Sequence, residues 1–187
     1  MSSTNAPYGL LPVRHPSGTI RPQGFNNGIL SGYNTAIYQY QPVKMSTDGY
    51  IQAASAGDQI LGSFAGVQYV DANGRPNYSN QWLASTSASQ IVAYVTTDPQ
   101  IVYAIQADGS LTQAAIGDEA DVSNASATNG LGFSAATLST SLVGANNTAT
   151  LRVVDLYNVP DNAWGDAYTQ VLVQVVEHQY VAPKAAI

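Results

Sequence analysis

The sequence predicts an all-β protein, an antiparallel β-barrel or sandwich with an extended N-terminal arm. No segment repeats its apolar residues with a sustained helical period, and β-branched residues crowd the runs that are periodic. These runs are short and recur at about ten-residue spacing, with Gly, Pro, Asn and Asp between them. Short strands with that spacing are typical of sandwiches and barrels.

Nine segments are predicted as strands because their residues alternate in polarity or form short apolar runs. They are residues 37–40, 43–45, 50–52, 62–70, 78–84, 90–95, 100–106, 148–157 and 169–178, with a further turn and short strand over 117–122. Asp48-Gly49 and Asp108-Gly109 predict hairpin turns. Gly62 and Gly66 fall inside a predicted strand and indicate bulges or bends.

Residues 1–35 are predicted to be the extended arm. Pro7, Pro12, Pro16 and Pro22 punctuate this segment, and proline fixes φ, lacks an amide donor and favours extended geometry at the preceding residue. Its apolar residues are too many for a plain solvated tail. Two interpretations stay open: the arm docks on a neighbouring subunit, or it forms an edge strand and loop on its own core.

Residues 36–187 are predicted to form the β-barrel or sandwich domain, with a polar loop insertion near 123–147. This stretch consists almost wholly of small and polar residues, which argues for a long loop or weak strands. The chain of 187 residues is long enough to bury a sizeable core.

Charge is scarce in this chain. Charged residues make up 10% of the sequence, against roughly 25% in an ordinary soluble domain. Uncharged polar groups are abundant, with 17 Ser, 14 Thr, 13 Asn and 14 Gln. Such a surface can hydrogen-bond against another protein while few charges lose their water. The composition therefore favours an assembly component over an enzyme.

The charge balance also bears on partners. Six basic residues cannot form a stripe that follows phosphates, so no nucleic acid is expected as a partner. A formal net charge of −6 argues against binding to anionic membranes. No apolar run approaches the roughly 20 residues of a membrane span, and no signal peptide is recognisable.

No catalytic, cofactor or metal site is predicted. The absence of cysteine excludes disulfides, thiolate nucleophiles and thiolate metal ligands. The two histidines, His15 and His178, lie far apart in the sequence, and a metal site would need them or carboxylates to converge. Ser85, Ser87 and Ser89 lack the flanking glycines of a nucleophile elbow, and no glycine-rich phosphate loop is present.

Two acidic groups offer alternatives to this interpretation. Asp118, Glu119 and Asp121 follow a glycine and are a possible calcium site, although a solvated turn is the favoured interpretation. Asp161 and Asp166 flank Trp164, as in a carboxylate and aromatic sugar site, but a turn capped by a buried Trp is favoured. A small hydrolase using Asp118, Asp161 or Asp166 is kept as a third functional class.

Tyrosine is enriched, with 12 Tyr against 3 Phe. Tyrosine buries apolar area and keeps a polar tip, which suits contacts that stay partly wet. Tyr94 and Tyr103 are expected to face the core, whereas tyrosines in or near the arm are expected to contact other chains. The candidate contact set is Tyr8, Leu10, Leu11, Val13, Arg14, Tyr33 and Tyr38.

Four stretches of the chain, taken in order, resemble a known family. They are NAPYGLLPVRH at 5–15, ILGSFAGVQYVD at 60–71, VAYVTTDP at 92–99 followed by IQADG at 105–109, and NAWGDAY at 162–168 leading into 171–173 and 177–179. The chain resembles structural proteins of tailed bacteriophages that are described as capsid decoration or cement proteins. The stretch 123–147 is the part least like them.

This resemblance implies a virion protein on the capsid exterior, made in the host cytoplasm. It implies a β module that bridges neighbouring major capsid subunits and carries no catalytic residues. Copies of the chain are expected to touch each other, as a trimer or dimer over a symmetry axis. The alternative function is a receptor- or glycan-binding module, such as a head fibre or adhesin, in which Trp82 or Trp164 holds sugar.

Overall fold

The structure, a computed structural model, describes residues 4–144 and 147–181. Most of its thirteen strands are short, β5 and β7 being the long ones, and one turn of 3₁₀-helix lies at Gln113–Ala115. The strands are β1 (Leu11–Arg14), β2 (Gln23–Asn26), β3 (Pro42–Met45), β4 (Ile51–Ala53), β5 (Gly62–Asp71), β6 (Pro76–Ser79), β7 (Ala88–Thr96), β8 (Val102–Gln106), β9 (Glu119–Ala120), β10 (Val122–Ser123), β11 (Thr137–Leu138), β12 (Leu151–Leu156) and β13 (Gln170–Val175).

The strands form two principal antiparallel sheets that pack together, consistent with a β-sandwich. One sheet has five strands in the order β1-β8-β13-β12-β9. The other has six, in the order β2-β7-β5-β3-β4, with β6 also paired to β5. A small third sheet pairs β10 with β11. The predicted all-β class is confirmed.

Each large sheet covers its own apolar cluster. Beneath the five-stranded sheet, Tyr103, Ile105, Leu151 and Val173 are at most 1% exposed. The alternation of buried and partly exposed residues along β13 is that of a strand with one face in the core. Beneath the six-stranded sheet lies a second cluster that includes Phe64, Val67, Trp82, Ala93 and Val95.

Hydrogen bonds join the two sheets where the chain passes from β7 to β8. The Tyr103 hydroxyl donates to the Thr96 carbonyl at 3.1 Å, and the Ser63 hydroxyl donates to the Leu10 carbonyl at 2.7 Å. Burial raises the pKa of Tyr103, with Asp98 acting in the same direction and the hydrogen bond to Thr96 opposing it. The phenol therefore stays protonated and can donate at ordinary pH.

Residues 4–35 are built into both sheets. β1 pairs with β8, and β2 pairs with β7, so this segment supplies an edge strand to each sheet. Leu10 is 0% exposed and Ile29 is 1% exposed. For the described part of the arm, this is the second of the two arrangements that the sequence left open. Residues 1–3 lie outside the described residues.

The Asp48-Gly49 turn joins β3 and β4 as expected. The hairpin predicted at Asp108-Gly109 is wrong, because β8 is flanked by β1 and β13 and not by the strand that follows it. The Asp108 carboxylate instead accepts hydrogen bonds from the Thr140 amide and the Ser123 hydroxyl.

The polar stretch 123–147 holds more structure than a surface loop. It contains β11, and Ala125, Ala136 and Leu138 from this stretch are buried in the cluster beneath the five-stranded sheet. No helix among the described residues is long and apolar enough to cross a membrane.

Candidate partner-binding surface

The candidate contact set is spread over several environments. Leu10 lies wholly inside the fold, so it has no surface to offer a partner in this structure. Leu11 and Val13 are partly buried on the edge strand β1, and Arg14 is exposed at its end. Tyr33 and Tyr38 are partly buried, and Tyr33 packs against the cluster beneath the six-stranded sheet.

Tyr8 belongs to an N-terminal strap, residues 4–8, that lies against the five-stranded sheet. Its hydroxyl donates to Oε1 of Gln170 at 3.0 Å. Burial raises the pKa of Tyr8, and the neighbouring Tyr157 raises it further, so the hydroxyl keeps its proton. The polar tip that suggested a contact between chains is thus used within the chain.

Gln106 fixes the other end of the strap. Its Oε1 accepts the Ala6 amide at 3.0 Å and its Nε2 donates to the Thr4 carbonyl at 3.1 Å. One side-chain amide thereby makes the pair of hydrogen bonds that a neighbouring strand would make. Gln106 is 2% exposed.

The outer face of the six-stranded sheet is uncharged across four adjacent strands. Cross-strand partners share a face, so the pairings of β2, β7, β5 and β6 identify the residues that point away from the core. They form what we term the tyrosine face: Gly24, Asn26, Gly66, Gln68, Val70, Pro76, Tyr78, Ser89, Val92 and Tyr94.

Two tyrosines dominate this face. Tyr78 is 75% exposed. Tyr94 is partly buried and donates from its hydroxyl to Oε1 of Gln68 at 3.2 Å. Its ring lies beside Gly24, where an added Cβ would sit 3.3 Å from Cε1 of Tyr94 and 3.3 Å from Cγ1 of Val92. Glycine at position 24 therefore lets the ring lie close to the sheet.

The expectation that Tyr94 faces the core is wrong, whereas Tyr103 does face it. The alternation along β7 carries the missed signal. Ile91, Ala93 and Val95 are buried, so Tyr94 between them must point outward. Within an apolar run, the face on which a tyrosine lies follows from its position in the alternation and not from the polarity of its neighbours.

The acidic residues near Gly117 are engaged within the fold. Glu119 is 0% exposed, and its Oε1 accepts from Nε and Nη2 of Arg152, at 3.1 Å and 2.5 Å. Its Oε2 accepts the Ala149 amide at 2.9 Å. Asp121 accepts the Thr150 amide and hydroxyl. Among the described residues no group of three or more potential ligands is placed to hold a metal ion.

The residues considered for sugar binding are packed within the fold. Trp82 is 0% exposed, packs edge-on against Tyr69 and exchanges backbone hydrogen bonds with Ile37, so its ring faces are unavailable to sugar. Trp164 is partly buried against the core. Asp166 is 8% exposed and its Oδ2 accepts the Ala163 amide, which closes the turn around Trp164.

The two histidines converge on one turn. Nε2 of His178 is 2.9 Å from the Thr97 carbonyl, and Nε2 of His15 is 3.2 Å from Oδ2 of Asp98. Both lie at the crossing from β7 to β8. Sequence separation gave no indication of this proximity, because the turn that both rings approach is distant from each histidine in the sequence.

Comparison with known proteins found no matching family model, no matching curated protein and no matching solved structure.

Proposed function

We propose that this chain is a virion structural protein that binds the outer surface of a phage capsid and cements neighbouring major capsid subunits. The observation that carries the proposal is the tyrosine face. It offers Tyr78, Tyr94 and Val92 with amide groups among them, and none of its ten residues is charged. The sequence resemblance to capsid decoration proteins is the second support.

The tyrosine face suits attachment for a physical reason. Covering a charged group requires that its water be removed, and this penalty is repaid only by a well-formed partner. The amides and hydroxyls of this face can instead exchange water for hydrogen bonds on the shell. Tyrosine contributes apolar area together with a hydroxyl that tolerates partial hydration.

We expect the binding of this chain to the capsid shell to be multivalent. Each copy buries a modest surface, and the repetition of contacts over a shell converts weak binding into durable binding. A protein that binds only the assembled shell also stabilises it against opening, since binding lowers the free energy of the bound state alone. Copies that touch one another at a symmetry axis would add to this effect.

The direct test is cosedimentation of the purified chain with shells that lack it, prepared from the phage that encodes it. Tyr78→Lys and Val92→Lys place charges on the tyrosine face and are expected to weaken binding at least about tenfold, since a desolvated unpaired charge costs several kcal/mol. Tyr180→Lys is the matched control, because Tyr180 is 57% exposed and lies off this face. Equal binding of all variants would contradict the proposal.

Deleting residues 1–35 is not a usable test of attachment. The deletion removes β1, β2 and the buried side chains of Leu10 and Ile29. Loss of two large buried side chains costs several kcal/mol, of the order of the whole stability of a domain. Failure to bind would then report unfolding, so surface substitutions are required.

Glycan binding is the second candidate, and one groove favours it. A cavity of about 740 Å³ separates the N-terminal strap from residues 124–137. Amide, hydroxyl and phenol side chains line it, among them Asn5, Tyr8, Asn124, Asn129 and Tyr168. Such groups hydrogen-bond sugar hydroxyls. A glycan array that gives hits lost on Tyr168→Ala, but kept in Tyr78→Lys, would support this function over shell attachment.

A further inference from the structure

A small cavity lies where the segment between β1 and β2 meets the turn between β7 and β8. Its volume is about 370 Å³. Its lining includes two hydroxyl groups, from Ser17 and Thr19, and the imidazole of His15. It also includes the cation Arg21, the carboxylate of Asp98 and the apolar side chain of Ile101. None of them belongs to the tyrosine face.

Ser17 and His15 are hydrogen-bonded, and Asp98 lies close to the other side of the His15 ring. Oγ of Ser17 is 2.6 Å from Nδ1 of His15. Nε2 of the same ring is 3.2 Å from Oδ2 of Asp98, but the geometry of this contact is not that of a hydrogen bond. The Ser17 amide also points at Nδ1, at 3.1 Å. An amide can only donate, so Nδ1 is the unprotonated nitrogen of the neutral ring and the Ser17 hydroxyl is a donor to it.

The environment suits proton transfer from Ser17 to His15. Ser17 is exposed and reachable from solvent, whereas the His15 side chain is only 12% exposed. The Asp98 carboxylate lies on the far side of the ring, where it stabilises the imidazolium that forms when His15 takes a proton. Base and nucleophile thus have the relative placement that nucleophilic catalysis uses, with a carboxylate close to the base.

We propose that Ser17 is a base-activated nucleophile that accepts acyl groups from small activated carboxylic esters. The Ser17 hydroxyl proton moves to Nδ1 of His15 as Oγ bonds to the ester carbonyl carbon. The bond from that carbon to the leaving alkoxide oxygen then breaks, and the proton on Nδ1 passes to the alkoxide. The products are acylated Ser17, a free alcohol and neutral His15.

Two other residues of the cavity fit such a ligand. Arg21 is a permanent cation on the cavity wall and is available to the negative charge that develops on the carbonyl oxygen. Ile101 is 1% exposed and gives the cavity an apolar floor for a short acyl chain. The cavity volume limits the substrate to a small ester.

Because the chain has no cysteine, Ser17→Cys gives a protein with a single thiol and no background. The thiolate is the reactive form, and His15 would raise its fraction by taking the proton. We expect alkylation by iodoacetamide near neutral pH to be about tenfold faster for Ser17→Cys than for Ser110→Cys, a matched exposed site. Adding His15→Gln to Ser17→Cys should return the rate to the control value.

A second experiment uses the natural residue. The wild-type chain is treated with a fluorophosphonate, and the labelled serine is identified by mass spectrometry. Labelling at Ser17 that is lost in Ser17→Ala and kept in Ser110→Ala supports the proposal, as does release of p-nitrophenol from p-nitrophenyl acetate with the same dependence. Equal alkylation rates at positions 17 and 110, or no labelling of Ser17 above that of other exposed serines, would overturn it. Neither readout depends on capsid shells, so the outcome is independent of the attachment proposal.

Discussion

Gln106 and Gln170 lie opposite each other on β8 and β13, and their two side chains hold the N-terminal strap against the five-stranded sheet. The Gln106 side chain hydrogen-bonds to the backbone of Thr4 and Ala6, and Oε1 of Gln170 accepts a hydrogen bond from the Tyr8 hydroxyl. The uncharged polar residues that suggested a surface for partners are thus also used inside the fold. Gln179 does the same at β3, where its amide pairs with both the N–H and the carbonyl of Met45.

Gln106→Ala is expected to release the strap. The substitution removes two hydrogen bonds from a buried position, and the loss of unfolding free energy is expected to be about 1–3 kcal/mol. Hydrogen exchange of the Ala6 amide should accelerate, while exchange along β12 and β13 changes little. Gln100→Ala is the control, because Gln100 is exposed. Unchanged protection at Ala6 would show that the strap is held by other contacts.

Gly62→Ala is expected to destabilise the six-stranded sheet. Gly62 has φ of 153°, and a Cβ there would collide with the carbonyl oxygen of Thr96 on the paired strand β7. Strain of this kind costs about 1–3 kcal/mol, and backbone displacement adds to it. Urea unfolding should give a lower midpoint than for Gly49→Ala, whose Cβ meets no atom although its φ is also positive. Equal losses in the two variants would refute the close-approach argument.

Arg152→Met is expected to leave an uncompensated carboxylate at Glu119. Glu119 is fully buried. Removal of the guanidinium takes away the hydrogen bonds to Oε1 and leaves the one from the Ala149 amide to Oε2. Breaking a buried pair in this way costs about 3 kcal/mol. Glu119→Gln in the same chain should recover part of the loss, because it removes the buried charge. A double-variant loss equal to the sum of the single losses would argue against coupling.

His178 is expected to make stability depend on pH. Its Nδ1 accepts the Tyr180 amide at 3.1 Å, so the ring is neutral with its proton on Nε2, which donates to the Thr97 carbonyl. Burial lowers the pKa of His178 below its usual value of 6.5, against the opposing effects of the Thr97 and Leu61 backbone and of Asp98. The unfolded state therefore binds a proton more readily than the folded state.

The sign of the pH effect follows from linkage. The contribution of His178 to stability is complete above about pH 6.5 and is lost as pH falls below that value towards the folded-state pKa. His178→Gln keeps an amide donor and acceptor but does not titrate. Urea unfolding between about pH 8 and pH 5.5 should show a steeper loss in the wild-type chain than in this variant. Parallel pH curves would remove His178 as the cause.

The sequence predicts the strands well where short-range patterns specify them. Asp48-Gly49 marks a true hairpin because both of its strands continue with β-forming residues that pair locally. Gly66 marks a true bulge, since the register between β5 and β7 shifts between Phe64 and Gly66. These features depend on residues near one another in the chain, so their signal is present in a single sequence.

Long-range features are not encoded in such local patterns. Asp108-Gly109 has the composition of a hairpin turn, but the strand that pairs with β8 is β13, which lies far along the chain. The approach of His15 and Ser17 to Asp98 likewise depends on how β1 is placed at the edge of the five-stranded sheet. No periodicity encodes such placement, and the composition of residues 1–35 fits both a free arm and an integrated edge.

The candidate surface was only partly predictable. An uncharged, tyrosine-rich surface follows from composition, but the contact set predicted in and near the arm includes Leu10, which is buried. The alternation along β7 indicates that Val92 and Tyr94 lie on the outer face of the sheet. The contribution of β6 and of Tyr78 required the sheet order, which the sequence alone does not give.

Electron microscopy of the intact phage particle is the most direct test of the central claim, that this chain binds the capsid exterior through its uncharged tyrosine face. The account predicts density for the chain outside the major capsid layer, with Tyr78 and Tyr94 directed at the capsid subunits and one copy touching more than one subunit. Density for the chain inside the shell or at the tail, or a tyrosine face turned to solvent, would contradict it.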